Sequence, residues 1–406
     1  MDAKSMGKTI AALRKKQNLT QKELALKLKI SDKAVSKWES GLGFPEITLL
    51  PEISKLFGVS VDYLMTGERK GIVIAGNILT DVCKNIDTYP KIGMLANISS
   101  VKRAVGGCVP NTGIDLATID KSIPISAVGK VGDDEYGRYV TERMRNVGIN
   151  TDMVRISGSA PTSFSDVMNL PSGERTFFHA RGANAEFSPE DVDINSLNAN
   201  MLHIGYILLL DKFDEFDDEY GTVMAKFLHD VQERGIKTSI DVVSSSTADY
   251  KKTIVPALKY CDYAIMNEIE STSIWGLSPR DENGKLNIPN IKETMKRILD
   301  AGVKEKVIVH AKEAGFLMDK NYNYTAVASL DIPRSEIKGS VGAGDAYCAG
   351  CLYGIYHNLP DKDILEFACS AASFNLFAED SVSGMRSREE IIKLPEKYAR
   401  EIHDLY

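Results

Sequence analysis

The sequence predicts a doubly wound α/β body, with a mostly parallel sheet flanked by helices, joined to a separate all-α domain. Apolar runs such as Ile72–Gly76 recur through residues 69–406 and alternate with helical patterns, which is typical of a doubly wound sheet. Residues 1–68 instead contain five short helical patterns separated by turns. At 406 residues the chain is too long for one ordinary core, so two domains are expected, 1–68 and 69–406.

Composition places the chain among globular proteins. Hydrophobic residues make up 43% and charged residues 26% of the sequence, an ordinary balance. Apolar runs are too short for a membrane span, and the first residues lack the apolar stretch of a secretion signal. The six cysteines show no dense spacing, which fits reduced thiols. These features predict a cytoplasmic protein without a membrane partner.

Charge is unevenly distributed along the chain. Residues 1–68 contain 11 Lys and Arg against 8 Asp and Glu, a net charge of +3, whereas the whole chain carries −7. The remaining residues therefore carry −10. A mildly basic domain joined to an acidic body predicts that the basic domain, not the body, contacts nucleic acid.

Two helices of the first domain have clear start signals. Thr20 and Glu23 form a capping box, and Ser31 is an N-cap for a helix over 32–39. The turn between these helices is short, which predicts helix-turn-helix geometry. The residues predicted to lie on the outer face of the second helix are Asp32, Lys33, Ser36 and Lys37.

Residues 8–66 resemble the Cro/C1-type helix-turn-helix family through the patterns T-Q-x-E-L-A and S-x-x-x-V-S-K-W-E-x-G. The resemblance implies that 31–39 is a recognition helix whose outer face enters the major groove of double-stranded DNA, and that Gln21 contacts a phosphate. It also implies a homodimer, because such domains bind paired half-sites. A helical module for binding another protein is the alternative.

In the body, polar residues follow several of the predicted strands. Asp81 comes after the first strand, Asp241 after the fourth and Asn267 after the fifth. Because ligands of doubly wound sheets bind beyond the carboxyl ends of the strands, this placement favours an active site there. Strands are predicted at 72–76, 124–128, 201–204, 237–241, 263–266 and 307–310, with helices at 134–147, 219–234 and 290–301.

One segment breaks the strand–helix alternation. Residues 162–181 are predicted to form two alternating strands joined by Pro171, Ser172 and Gly173. A hairpin projecting from an α/β core is suited to act as a small β lid that excludes water. An ordinary surface hairpin is the alternative.

A glycine-spaced turn precedes an uncharged helical stretch, 346–356, that is predicted to be buried on all sides. Gly342, Ala343 and Gly344 have almost no side chain, so their N–H groups can approach an anion such as a phosphate at the start of the helix. Asp345 places one carboxylate beside that anion. An anion hole with a base at its edge suits phosphoryl transfer to a hydroxyl. The alternative is a turn of small residues needed only for close helix packing.

The order and spacing of these motifs resemble the ribokinase-like PfkB family of carbohydrate kinases across 71–395. The resemblance implies a sugar or nucleoside substrate, with ATP as phosphoryl donor and Mg²⁺ held through water rather than by direct ligands. It implies that Asp345 is the base and that Gly342–Gly344 form the anion hole. The implied substrate residues are Asp81, Gly106, Gly107 and Asn111, and the implied nucleotide and magnesium-phosphate residues are Asn267, Glu270 and Ser340.

The chain departs from the family pattern at two places. Gly339 stands where the family usually has Asp, at a position connected with a monovalent cation, and His310 and Lys312 stand where it has Thr and Gly. We therefore keep three functional alternatives. The first is a sugar kinase fused to a DNA-binding domain that couples sugar sensing to transcription. The second is a sugar- or nucleoside-responsive regulator with little turnover, and the third is a nucleoside kinase.

Overall fold

The computed structural model describes residues 2–172, 174–244 and 249–406. The chain divides into two compact units. One contains the chain up to Gly71 together with Asp193–Asn200, and the other contains Ile72–Val192 and Met201–Tyr406. We call them the N-terminal unit and the α/β unit, and we describe each by itself.

The N-terminal unit contains the five predicted helices. Met6, Leu24, Val35, Ile53 and Leu64 meet in its core, one from each helix. The helices are α1 (Ala3–Lys16), α2 (Gln21–Lys27), α3 (Asp32–Glu39), α4 (Leu50–Phe57) and α5 (Val61–Thr66).

The predicted caps of α2 and α3 are confirmed. Thr20 and Glu23 form a reciprocal capping box, and the Ser31 side chain accepts from the backbone N–H of Ala34 at the start of α3. Lys29 in the turn between them has a φ of 55°. A non-glycine residue adopts this left-handed conformation at a cost of about 1–2 kcal/mol, so the turn retains helix-turn-helix geometry without a glycine.

The α/β unit is built on a nine-stranded sheet, in the order β15-β14-β13-β12-β11-β8-β1-β4-β5. Seven neighbouring strands are parallel, and the last two, β14 and β15, are antiparallel. The predicted mostly parallel sheet is therefore confirmed. Its strands are β1 (Ile72–Gly76), β4 (Ile125–Gly132), β5 (Asn150–Ser157), β8 (Met201–Ile207), β11 (Lys237–Val242), β12 (Tyr263–Asn267), β13 (Lys306–His310), β14 (Ala314–Asp319) and β15 (Tyr324–Ala328).

Helices cover the sheet, and α12 is buried over most of its length. As predicted from its lack of charge, every residue of α12 from Asp345 to Ile355 is buried. It packs against α6 and α13, and Gly350 permits the close approach, since a Cβ there would lie 2.7 Å from the Cα of Ala368. The helices are α6 (Cys108–Ile119), α7 (Glu135–Arg145), α8 (Val223–Glu233), α9 (Tyr250–Leu258), α10 (Glu268–Ser273), α11 (Ile288–Asp300), α12 (Ala343–Tyr356), α13 (Asp361–Asn375) and α14 (Arg388–Lys393). Across the described residues, we find no helix with the length and apolarity needed to span a bilayer.

A second, four-stranded sheet has the order β3-β2-β6-β7 and contains the hairpin predicted as a lid, so we call it the lid sheet. Its strands are β2 (Leu79–Ile86), β3 (Ile98–Gly106), β6 (Ser163–Asn169) and β7 (Arg175–Ala180). The predicted hairpin is confirmed as β6 and β7, although Gly173 of its turn lies outside the described residues. The sequence reading missed β2 and β3, because their mixed polar residues show weak alternation. A small ribbon, β9 (Phe216–Asp217) and β10 (Gly221–Thr222), delays the start of α8 to Val223.

One placement from the sequence requires correction. Asp81 was predicted to follow the first strand at the edge of the main sheet, but it lies inside β2 of the lid sheet. Its neighbours across the lid are Ala104 on β3 and Ser165 on β6. This candidate substrate residue is therefore part of the lid sheet.

Candidate active site

The glycine turn before α12 lets neighbouring backbone and side chains approach it closely. Gly342 has a φ of 80°, in the left-handed region, and a Cβ there would lie 2.6 Å from the Cβ of Ser381. Only glycine fits both constraints. Among the described residues, no side chain caps the start of α12, so the first turn of this 14-residue helix carries the positive end of its dipole without a side-chain partner.

Asp345 lies in the first turn of α12 and is only 5% exposed. Asn111 Nδ2 donates to its Oδ2 at 2.9 Å, and the Tyr206 hydroxyl lies 3.0 Å and 3.1 Å from its two oxygens. Burial raises the pKa of Asp345, and the bonds from Asn111 and Tyr206 oppose that rise. The site therefore holds a carboxylate that is more basic than usual and fixed in orientation.

Tyr206 is a candidate site residue that sequence reasoning missed. It lies near the carboxyl end of β8, directly after Gly205, and has a φ of 64°. This strained conformation for a bulky residue turns the phenol toward Asp345. The available signal was an aromatic residue after a glycine at a strand end, but the bond to Asp345 spans 139 positions in sequence.

Asn111 is itself held in place. The Ser381 hydroxyl lies 2.8 Å from Asn111 Oδ1, which directs the amide NH₂ of Asn111 toward Asp345. Asn111 is on the first turns of α6, whose N-cap is Gly107 with a φ of 88°. Asn111 and Asp345, which are 234 positions apart in the sequence, are thus in direct contact.

Asp81 lies against Gly106, the last residue of β3. A Cβ on Gly106 would be 2.6 Å from Asp81 Oδ2, so the carboxylate fits only because that residue is glycine. Burial, together with the charge of Asp345, raises the pKa of Asp81 to about 7. The predicted set Asp81, Gly106, Gly107 and Asn111 is therefore clustered around the same space as Asp345.

Asn267 and Glu270 interact with each other. Asn267 is the N-cap of α10, its side chain accepts from the N–H of Glu270, and the Glu270 side chain accepts from the N–H of Asn267 at 2.9 Å. Burial raises the pKa of Glu270 to about 7. Asp241 at the end of β11 also has a raised pKa, because of burial and then the charges of Glu270 and Asp345. These three carboxyl groups therefore form one electrostatically coupled cluster.

His310 ends β13, and its ring is stacked on Tyr347 with a centroid distance of 4.8 Å. Burial lowers the pKa of His310 to about 4, so the ring is neutral near pH 7. The adjoining turn is tied to α10 by Arg280, which pairs with Glu268 and Glu313 at 2.8 Å each. Ser340, by contrast, is exposed, and its carbonyl accepts from Ala343 N.

In the N-terminal unit, Asp32, Lys33, Ser36 and Lys37 are all exposed on α3. Gln21 is placed differently, since its Nε2 donates to Glu39 Oε2 at 2.8 Å. Glu39 also forms a two-bond pair with Arg14 at 2.6 Å and 2.9 Å. These bonds connect α1, α2 and α3, and an amide with two N–H donors still has one for a phosphate.

Comparison with known proteins matches both units. The family described as pfkB family carbohydrate kinase matches residues 72–387, and the helix-turn-helix family matches residues 10–64. The second match is supported by the HTH-type transcriptional activator BcrR of Enterococcus faecalis, which is 52% identical over 57 residues, or 14% of this chain and 28% of that protein.

Two kinases are similar over most of the chain. Ribokinase of Arabidopsis thaliana is 22% identical over 325 residues, which is 80% of each protein. The 5-dehydro-2-deoxygluconokinase of Clostridium beijerinckii is 25% identical over 341 residues, covering 77% of this chain and 89% of that enzyme. The structure of the Arabidopsis ribokinase complexed with ribose and ATP has the same fold, with a TM-score of 0.65 and 21% identity over 80% of this chain and 98% of that one. The chain therefore belongs to the pfkB family of carbohydrate kinases and carries a helix-turn-helix domain before its kinase region.

Proposed function

We propose that this carbohydrate kinase transfers a phosphoryl group from ATP to a sugar hydroxyl, with Asp345 as the base. The observation that carries the proposal is the setting of Asp345, a buried carboxylate held by Asn111 and Tyr206 in the first turn of an uncapped helix. Its raised pKa favours proton removal from a hydroxyl. The hydroxyl oxygen then attacks the γ-phosphorus of ATP in line with the bond to ADP, and ADP leaves.

The proposed sugar lies between Asp81 and Asp345. Asp81 and Asn111 offer carboxylate and amide groups for several hydroxyls, and Gly106 and Gly107 leave room for the ring. The raised pKa of Asp81 reflects a buried carboxyl group close to Asp345, and hydroxyl donors from a sugar would compensate that charge. The names of the similar enzymes, ribokinase and 5-dehydro-2-deoxygluconokinase, favour a small monosaccharide or a keto derivative.

The proposed anion hole consists of the N–H groups of Gly342, Ala343 and Gly344, of which that of Ala343 also donates to the Ser340 carbonyl at 3.3 Å. Their alignment with the dipole of α12 stabilises the negative charge on the phosphoryl group during transfer. Ser340 is exposed just before this turn, and we propose that its hydroxyl contacts the nucleotide phosphates.

Mg²⁺ fits the carboxylates on the other side of the site. Burial raises the pKa of both Glu270 and Asp241, and the charge of Glu270 raises that of Asp241 further. Oxygen ligands of this kind suit Mg²⁺ and its water shell. Asn267 and Glu270 would hold the hydrated ion against the nucleotide phosphates. When bound, the ion neutralises phosphate charge. The capping box between Asn267 and Glu270 fixes the direction in which these side chains face.

The test of this proposal is an ATP-consumption screen of the full chain with pentoses, hexoses, keto sugar acids and nucleosides. We expect Mg²⁺-dependent turnover with a monosaccharide or sugar acid. Turnover with nucleosides alone would establish the nucleoside-kinase alternative. Ligand-dependent thermal shifts without turnover for any compound would overturn the kinase proposal and favour a regulator that binds without catalysis. The glycine at position 339, where the family usually has an acid, is the sequence feature that favours this alternative.

We further propose that the N-terminal unit binds double-stranded DNA as a homodimer and couples sugar binding to transcription. The exposed side chains of α3 lie on the helix that enters the major groove in helix-turn-helix proteins. Asp32 can accept from cytosine, while Lys33, Ser36 and Lys37 donate to bases or phosphates. The similarity to a transcriptional activator over 57 residues supports this assignment.

The double variant Lys33→Ala/Lys37→Ala is expected to weaken binding to DNA upstream of the gene by about 10- to 100-fold, because two phosphate or base contacts are lost. The slope of log affinity against log salt should fall by about 2. Fluorescence anisotropy at several salt concentrations measures both quantities. Lys15→Ala/Lys55→Ala, which removes the same charge from exposed positions on α1 and α4, is the matched control. Equal affinity of the two double variants would contradict the assignment of α3.

A further inference from the structure

Gly339 lies where the family pattern has an acid, and its surroundings differ from those of a cation site. A Cβ on Gly339 would lie 2.9 Å from the carbonyl oxygen of Ala378 and 3.4 Å from that of Glu379. An acid there, with these two carbonyls, would give an oxygen-lined site suited to a cation. Instead, Nη2 of Arg175 lies 3.4 Å from the same Cβ position. A guanidinium has no acceptor and does not lose its proton.

Three cationic side chains lie around this point, alongside the carboxylates of Glu379 and Asp380. Lys102 Nζ on β3 lies 2.7 Å from Glu379 Oε2. Lys102 holds the pKa of Glu379 below its usual range, with smaller contributions from Lys338 and Arg175. Three cationic side chains thus act on one carboxylate. With glycine in place of the acid and the Arg175 guanidinium 3.4 Å from its Cβ position, the residues present do not fit a monovalent cation.

The segment beside Gly339 leads directly to the proposed base. Ser381 follows Ala378 and Glu379, and its hydroxyl lies 2.8 Å from Asn111 Oδ1. Asn111 in turn donates to Asp345. Ser381 also packs against Gly342, where a Cβ would be 2.6 Å from its Cβ. The position of this segment therefore sets both the amide that holds Asp345 and the turn that begins α12.

We propose that Arg175 is a positioning residue that replaces a bound monovalent cation in this chain. Its guanidinium supplies a fixed positive charge beside the carbonyls of Ala378 and Glu379. Because Arg175 is the first residue of β7, its guanidinium brings the lid sheet next to the segment that orients Asn111 and Asp345. Lid position, rather than K⁺ concentration, then controls the alignment of the base.

The first test compares KCl with tetramethylammonium chloride at equal ionic strength, using the full chain. We expect the same melting temperature in both salts and, with a substrate from the screen, the same kcat. A rise in melting temperature or kcat that is specific to K⁺ would overturn the proposal. The kinetic arm rests on the proposed function, but the melting arm does not, so a failed substrate screen leaves the proposal testable.

The second test replaces the guanidinium. Arg175→Ala should lower kcat by about 10-fold with little change in melting temperature, since the residue positions the base through Ser381 and Asn111. Added guanidinium chloride at low millimolar concentration should restore much of the lost rate. Arg297→Ala, which removes an exposed arginine paired with Glu293 on α11, is the control. It should keep the wild-type kcat, and added guanidinium should not change that rate. Wild-type kcat in Arg175→Ala, or a loss that guanidinium does not restore, would overturn the positioning role.

Discussion

Asp345→Asn is expected to lower kcat by about 10²- to 10⁴-fold, the usual contribution of a general base. The substitution preserves the size of the side chain but removes the group that accepts the hydroxyl proton. Sugar and nucleotide contacts made by other residues remain, so the KM for ATP should change little. Steady-state kinetics with the substrate found in the screen measures both constants.

Asp115→Asn is the matched control for this prediction. Asp115 lies on α6, and burial, followed by the charges of Asp345 and Asp380, raises its pKa well above the usual range, which disfavours its charged form. Among the described residues, neither of its oxygens has a hydrogen-bond partner. We expect near wild-type kcat for this variant. If Asp345→Asn retained the activity of Asp115→Asn, Asp345 would not be the base.

Tyr206→Phe is expected to lower kcat by about 10-fold at pH 7, because a hydrogen bond to a charged group is worth about 1.5–3 kcal/mol. The hydroxyl favours the charged form of Asp345, so removing it raises the pKa of that carboxyl further. Asp345 acts when deprotonated. The acidic limb of the pH–kcat profile should therefore move to higher pH, and part of the lost rate should return as pH rises.

Tyr347→Phe is the matched control for Tyr206→Phe. Tyr347 is on α12, two residues beyond Asp345, and its buried hydroxyl has no hydrogen-bond partner among the described residues. Removing that hydroxyl should leave kcat and the pH profile unchanged, while the ring stays stacked on His310. An equal shift of the profile in both variants would indicate general damage to the site rather than a role for the Tyr206 bond.

Much of the site could be predicted because its signals are local. The uncharged stretch of α12 indicates burial on all sides, and the small residues before it indicate a helix start whose N–H groups an anion can approach. The capping boxes at Thr20 and Asn267 are formed by residues three positions apart, so a linear pattern contains both partners. The same holds for the alternation of strands and helices, which reflects neighbouring residues on one element.

Contacts between distant parts of the chain could not be predicted in this way. Ser381 and Asn111 are separated by 270 positions, and Tyr206 and Asp345 by 139. Asp81 was predicted to follow the first strand, but it lies in the lid sheet. Its strand is determined by pairing with β3 and β6 rather than by the residues next to it in sequence.

The residue pattern alone therefore determined the fold class, the helix-turn-helix unit and the location of the proposed base. Tertiary packing decided which side chains hold Asp345 and which charge lies beside Gly339. The physical reason is that periodicity and caps depend on residues within one or two turns, whereas a hydrogen-bond network depends on the relative placement of whole elements. A glycine at position 339 looks like a lost function in the linear sequence, and only the fold shows that Arg175 lies beside it.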